Sequence, residues 1–305
     1  MIEIRVVTDL KTAERLWREI SPRQVLFDDW DFRCVFFKHE PHPLCFRAAY
    51  EVKDGQEELV GLMPLVDYGE VGLGIIAEEP SEENRVFIKP GHEEVVKLLY
   101  ESLSHQDQVE KNKIQFYDIS GEDDYTKSLP LEDYKYVLPL VNLDNFTDFL
   151  KTRLNPKRRR SLEKELAAID SLHPEIVIND FSDLENLFKL NVGNFVGESY
   201  LIKEEEREPW RELLKSPFSW HLTSLRVNGE TIAVSLAVLY NGYWHYLLTG
   251  TSFKTYPGLG KYLTKVNIEE AIAAGANYFD AGLGDCGWKN LWHFDRIPQY
   301  EFVNF

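Results

Sequence analysis

Residues 256–261 read Tyr256-Pro257-Gly258-Leu259-Gly260-Lys261, two glycines one position apart just ahead of a helical pattern. Glycines at a strand-to-helix turn expose backbone N–H groups, and the helix dipole adds positive potential, so such a turn can hold a pyrophosphate without side-chain charge. Lys261 would add one formal charge. Taken alone, a Gly-x-Gly pair is better read as an ordinary turn. Asp280 and Asp285 stand at and just beyond the end of a strand pattern over 277–283, where α/β folds place ligand-binding groups. Asp285 would act as a base or an amine-orienting carboxylate, or as the N-cap of a short helix over 287–294. Asp280 alternates with Phe279 and Ala281 and faces either a pocket or solvent.

His245, between Trp244 and Tyr246, is the base candidate that titrates near neutral pH, and its plainer reading is one more member of an aromatic strand surface. Lys157, Arg158, Arg159 and Arg160 crowd the first turn of a helix opened by Asn155-Pro156, a favoured N-cap followed by a favoured first residue. Cations at that end oppose the helix dipole. The placement fits Arg158 and Arg159 holding a substrate phosphate, and equally a solvated basic face. No spacing of His, Cys, Asp or Glu suits a metal.

The elements that must position these residues are clearest in the second half. Asn228-Gly229 and Asn241-Gly242 separate three β-rich runs over 221–227, 230–240 and 243–249, the signature of an antiparallel meander joined by two tight turns. A helix over 259–274 follows, ended by Gly275, and then the strand over 277–283. Ahead of the meander, 146–152 and the segment from Asn155 onward read as helices, the latter with Leu162, Leu166 and Ile169 as its buried stripe. Ser182 and Glu185 have the spacing of a capping box for a helix reaching Phe195.

In the first half, Leu10, Ala13, Leu16, Trp17 and Ile20 mark one face of a helix, and 92–103 reads as another. Segments 46–50, 59–66, 114–119 and 136–141 read as strands. Strands and helices interleaved in this way make an α/β layer domain ending near Leu143.

A chain of 305 residues exceeds what one hydrophobic core usually supports, so two domains are expected, 1–143 and 144–305. The formal charge of −17 opposes non-specific attraction to polyanions; neither DNA binding nor membrane insertion is expected, and tRNA is disfavoured as a partner. Three cysteines, Cys34, Cys45 and Cys286, lack the count and spacing of a disulfide framework, which fits a reducing cytoplasm. Cys286 has no His-Asp set beside it in sequence and reads as structural. Glu3, Arg5 and Asp9 interrupt any export signal. Residues 231–252 contain no Asp, Glu, Lys or Arg, yet Asn241-Gly242 in their middle makes them a hairpin rather than a membrane helix.

The order meander, glycine turn, helix, strand resembles the acyl-CoA-binding unit of the GNAT superfamily. The runs 225–233, 256–263 and 278–289, the last ending in Trp288-Lys289, resemble the CelD-like acetyltransferases, relatives of the FemAB peptidyltransferases. A fainter likeness covers 46–50 and Val60-Gly61-Leu62-Met63-Pro64-Leu65. The resemblance implies an α/β (α+β) fold of two tandem GNAT-like domains, mixed central sheets flanked by helices, with an acyl-CoA site in the second domain and none in the first. It implies that residues 299–305 return to the first domain. Backbone N–H groups near Leu248 and Thr249 would receive the thioester oxygen, Tyr256, Gly258, Leu259, Gly260 and Lys261 would hold the cofactor, and Lys289 would meet an oxyanion or phosphate while Trp288 stacks on a ring. The implied activity is acyl-CoA-dependent N-acylation, from acetyl-CoA or another acyl-CoA and without a metal, of a small-molecule or sugar amine such as an amino sugar or sugar nucleotide. An aminoacyl-tRNA-dependent ligase of the FemAB type, and a binding or regulatory protein with a decayed site, are the alternatives.

Overall fold

The computed structural model describes residues 1–78, 80–103, 114–121, 123–195, 197, 199–285 and 287–304. The chain divides into two compact units, Met1–Tyr134 with Pro298–Phe305, and Lys135–Ile297. It changes unit inside one strand, ahead of the Leu143 boundary expected from the sequence.

The first unit contains β1 (Ile2–Val7), α1 (Leu10–Ile20), α2 (Trp30–His39), β2 (Phe46–Lys53), β3 (Gln56–Met63), β4 (Leu65–Asp67), β5 (Leu73–Ile75), β6 (Phe87–Ile88), α3 (Glu94–Glu101), β7 (Ile114–Ile119) and α4 (Asp124–Lys127). Strands β1, β2, β3 and β6 form an antiparallel sheet in that order. Asp9 caps α1 by accepting the Thr12 N–H at 2.8 Å, and Ala13, Leu16 and Trp17 then face a core containing Trp30, Phe46 and Phe87. The expected strand over 59–66 is broken at Pro64, which separates β3 from β4 because proline lacks the ladder donor.

The second unit follows from β8 (Leu131–Pro139), in which the change of unit occurs, through α5 (Phe146–Arg153), α6 (Pro156–Asp170), β9 (Glu175–Ile178), α7 (Leu184–Asn194), α8 (Glu208–Leu213), β10 (Ser219–Val227), β11 (Glu230–Tyr240), β12 (Tyr243–Thr251), α9 (Leu259–Ala273) and β13 (Tyr278–Leu283). Its strand order is β8-β13-β12-β11-β10-β9. The meander forms as read: Asn228 and Gly229 have φ of 52° and 78°, Asn241 and Gly242 46° and 80°, the paired positive values that a two-residue hairpin turn demands. Asn155 accepts the Arg158 N–H at 2.9 Å and caps α6. The capping box at Ser182 does not form. Asp180, two residues ahead, takes the Ser182 N–H at 3.3 Å and its hydroxyl at 2.6 Å, closing a 3-10 turn over Phe181–Asp183 before α7 begins.

The last strand, β14 (Asp295–Asn304), carries the chain back to the first unit, where it pairs antiparallel with β7 and adds Tyr300 and Phe302 to the core. Residues 231–251 lie in β11, the Asn241-Gly242 turn and β12, and among the described residues no helix is long and apolar enough to cross a membrane.

Candidate active site

Strands β12 and β13 run parallel for three rungs, Tyr243 with Tyr278, Trp244 with Phe279 and His245 with Asp280, and there their pairing ends. On its other edge β12 stays paired with β11 as far as Thr251, but a register shift opposite Leu236 and Ala237 leaves Leu247 as an extra residue. A bulge of this kind re-aims the peptides that follow it. Ser252 donates to the Ile232 carbonyl at 2.8 Å, so in the alternating antiparallel ladder Thr251 and Thr249 turn their peptide groups away from β11. They face the side that β13 has left. Of the two residues expected to supply oxyanion donors, Thr249 presents its N–H to this opening, while Leu248, one position out of phase, faces β11.

The glycine turn lies between β12 and α9. The Tyr256 N–H donates to Ser252 and its carbonyl accepts from Leu259 at 3.2 Å. Gly258 is the N-cap of α9 at φ +91°, a left-handed conformation that favours glycine. A Cβ on Gly260 would meet nothing within 4 Å, so the first turn of α9 is open beside its orphan N–H groups. Lys261 is used differently from the sequence expectation: its ammonium pairs with Glu165 on α6, and the neighbouring Tyr262 hydroxyl donates to Asp170 at 2.7 Å. Both contacts hold α9 to α6, leaving backbone donors and the dipole as the attraction for an anion.

Asp280 faces neither solvent nor an open pocket. Its carboxylate stands 2.8 Å from the Lys135 ammonium and 3.0 Å from His245 Nδ1, with all three side chains at most 2% exposed. Burial alone would raise the Asp280 pKa, but the Lys135 charge and the His245 contact outweigh it and hold the carboxyl well below its ordinary range. Its second oxygen accepts the Gly282 N–H at 3.0 Å. Sequence reasoning does not single out Lys135; its one local signal is a charge directly ahead of the apolar run Tyr136-Val137-Leu138.

Asp285 is exposed and caps the turn that follows β13. One oxygen accepts the N–H groups of Gly287 and Lys289 at 3.1 Å each, and the other accepts from Asn290 at 2.5 Å. The expected helix over 287–294 is a single 3-10 turn, Asn290–Trp292. The Lys289 ammonium is buried and donates to the Gly282 and Leu283 carbonyls at 3.2 and 2.6 Å, holding the end of β13. Trp288 packs edge-on against Trp292 and Phe294, each at 5.6 Å. Arg158 donates to the Leu291 carbonyl at 3.3 Å, and Arg159 lies 3.9 Å from Glu163. Cys286 lies outside the described residues. Among the described residues no group of acidic, His and Cys side chains suits a metal ion.

Residues 156–290 match the acetyltransferase (GNAT) domain family. No curated protein matches the sequence. Among solved structures, FemX has a similar fold at 11% identity and a TM-score of 0.61, over 99% of this chain and 96% of that one. L-PGS from Bacillus licheniformis has 13% identity and a TM-score of 0.58, over 96% and 91%. A tandem GNAT protein from the clavulanic acid biosynthesis pathway has 11% identity and a TM-score of 0.54, over 99% and 98%. Identities this low establish fold and nothing finer. Residues 156–290 thus match the acetyltransferase (GNAT) domain family, and the chain shares its fold with FemX and with a tandem GNAT protein.

Proposed function

We propose that the chain is an acyl-CoA-dependent N-acyltransferase in which an amine attacks the donor thioester directly. The observation that carries this reading is the opening between β12 and β13 beyond His245 and Asp280, lying one loop ahead of the glycine-capped N-terminus of α9. In this reading the first turn of α9 takes the pyrophosphate and the thioester arm enters the opening. The amine nitrogen bonds to the carbonyl carbon, the oxygen draws on the Thr249 N–H as negative charge develops, the carbon–sulfur bond breaks, and the thiolate takes up the proton that the nitrogen gives up. His245 and Asp280 are buried and serve to hold the vertex of the opening. Asp285, exposed beyond β13, is then the carboxylate left to orient the amine. Arg158 and Arg159 would take a phosphate of an amino-sugar or sugar-nucleotide acceptor. The first unit has no donor site in this reading, and an acyl-CoA donor fits a cytoplasmic reaction.

An aminoacyl ester on tRNA is the second reading, and the placement of charge favours retaining it. Acidic and basic residues nearly balance within residues 135–297, and most of the formal −17 lies on the first unit. The net charge therefore opposes a polyanionic donor at the second unit less than the whole-chain figure implies. Thermal-shift titration with acetyl-CoA, longer acyl-CoAs, UDP-sugars and bulk tRNA separates the two, because a ligand that binds only the folded state raises its stability. Stabilisation by acyl-CoA supports the first reading. Stabilisation by tRNA alone replaces it with the second, and no response to any of them contradicts both.

A further inference from the structure

Two asparagines on α7 occupy most of the peptide row that β12 turns toward its opening. Asn191 Nδ2 donates to the Thr249 carbonyl at 2.8 Å. The Asn191 oxygen is already taken, since the Ser199 hydroxyl donates to it at 2.7 Å. That bond fixes which end of the amide faces β12, and both side chains are buried. One turn further on, Asn194 lies against Thr251, and its amide is assigned from the surrounding donors and acceptors so that its nitrogen donates to the Thr251 carbonyl and its oxygen accepts the Thr251 N–H at 3.1 Å. Of the four polar groups that Thr249 and Thr251 present, three are thereby matched from α7. The fourth is the Thr249 N–H.

Gly250 makes this approach possible. A Cβ there would come within 2.6 Å of Leu190 Cβ, 2.7 Å of the Asn191 nitrogen and 2.8 Å of the Leu187 carbonyl. Only a residue without a side chain lets the helix backbone lie this close to the strand, and that closeness is what brings short asparagine side chains within reach of the peptide row.

We infer that Asn191, oriented by Ser199, is a positioning residue for acyl transfer: it anchors residue 249 through its carbonyl so that the Thr249 N–H is the donor left for the acyl oxygen. Asn194 closes the next position. The inference rests on the reading of this opening as the donor site. The residues act through Thr249, so removing them weakens polarisation of the acyl carbonyl more than it weakens donor binding, most of which comes from the phosphates and the α9 turn.

The test is the infrared stretch of carbonyl-labelled acetyl-CoA bound to the full chain, with affinity measured in parallel. The expected result is a shift to lower wavenumber in the wild type, loss of at least half of that shift in Asn191→Ser and Ser199→Ala with Kd within threefold, and retention in Ser199→Thr, which keeps the hydroxyl. Should Asn191→Ser fail to fold, Ser199→Ala, which keeps the amide, carries the test. Variants that bind with the wild-type shift overturn this inference alone. A wild type that does not bind acetyl-CoA overturns the donor reading and this inference with it.

Discussion

The Lys135 ammonium and the Asp280 carboxylate lie 2.8 Å apart with both side chains 2% exposed, at the last rung of the β12–β13 pairing. Removing one partner of such a pair strands a buried charge, which costs about 3–5 kcal/mol, whereas replacing both with apolar residues is far milder. Lys135→Met and Asp280→Leu should each lower the urea midpoint sharply, and the double variant should recover much of the loss. Additive losses would show that the two groups do not act as a pair.

That pair also fixes a response to acid. The folded-state pKa of Asp280 is depressed below its ordinary 3.8, so its contribution to stability is present above that value and is lost as pH falls through the folded pKa. Acid unfolding monitored below about pH 4 should flatten in the Asp280→Asn variant. An unchanged acid limb would show that other carboxylates govern it.

Glu270 has the opposite sign. Burial lifts its carboxyl to about 7, with the Thr223 hydroxyl, 3.0 and 3.1 Å from its oxygens, partly offsetting the rise. A raised carboxyl contributes stability below its ordinary 4.5 that is lost as pH rises through about 7. Glu270→Gln should therefore gain about 1 kcal/mol over the wild type at pH 8, with little difference at pH 4, measured by thermal unfolding at both pH values. Equal effects at both would remove Glu270 from the pH response.

The sequence shows the meander and the glycine turn because their signals are local. Asn228-Gly229, Asn241-Gly242 and Gly258 each need a positive φ that few other residues adopt, so residue type alone places the turns. The partners of the candidate residues depend instead on which distant strands and helices meet. Lys135 reaches Asp280 only because β8 pairs with β13, and Glu165 takes Lys261 only because α6 packs beside α9. Asp285 shows the middle case: its capping geometry is a spacing effect and was readable, while its exposure was not. Asn191 carried no signal at all, since an asparagine inside a helical pattern gives no sign of the strand it will meet.

Gly250 offers a test of how closely α7 must approach. Gly250→Ala places a methyl against helix backbone that can yield only by moving the helix, an overpacking cost of about 1–3 kcal/mol. The urea midpoint should fall accordingly, and the Thr251 amide should exchange faster with deuterium. A variant of wild-type stability and exchange would contradict the close packing.

The most direct measurement is calorimetric titration of acetyl-CoA into the wild type and Gly260→Asp. The substitution enters open space, where a Cβ meets nothing within 4 Å, and an acidic residue in the first turn of a helix stabilises it by about 0.3–1 kcal/mol. Binding by the wild type, with affinity weakened at least tenfold in the variant and thermal stability unchanged or raised, is the expected result. Equal affinity in the two proteins, or no binding by the wild type, would contradict a donor site at the head of α9.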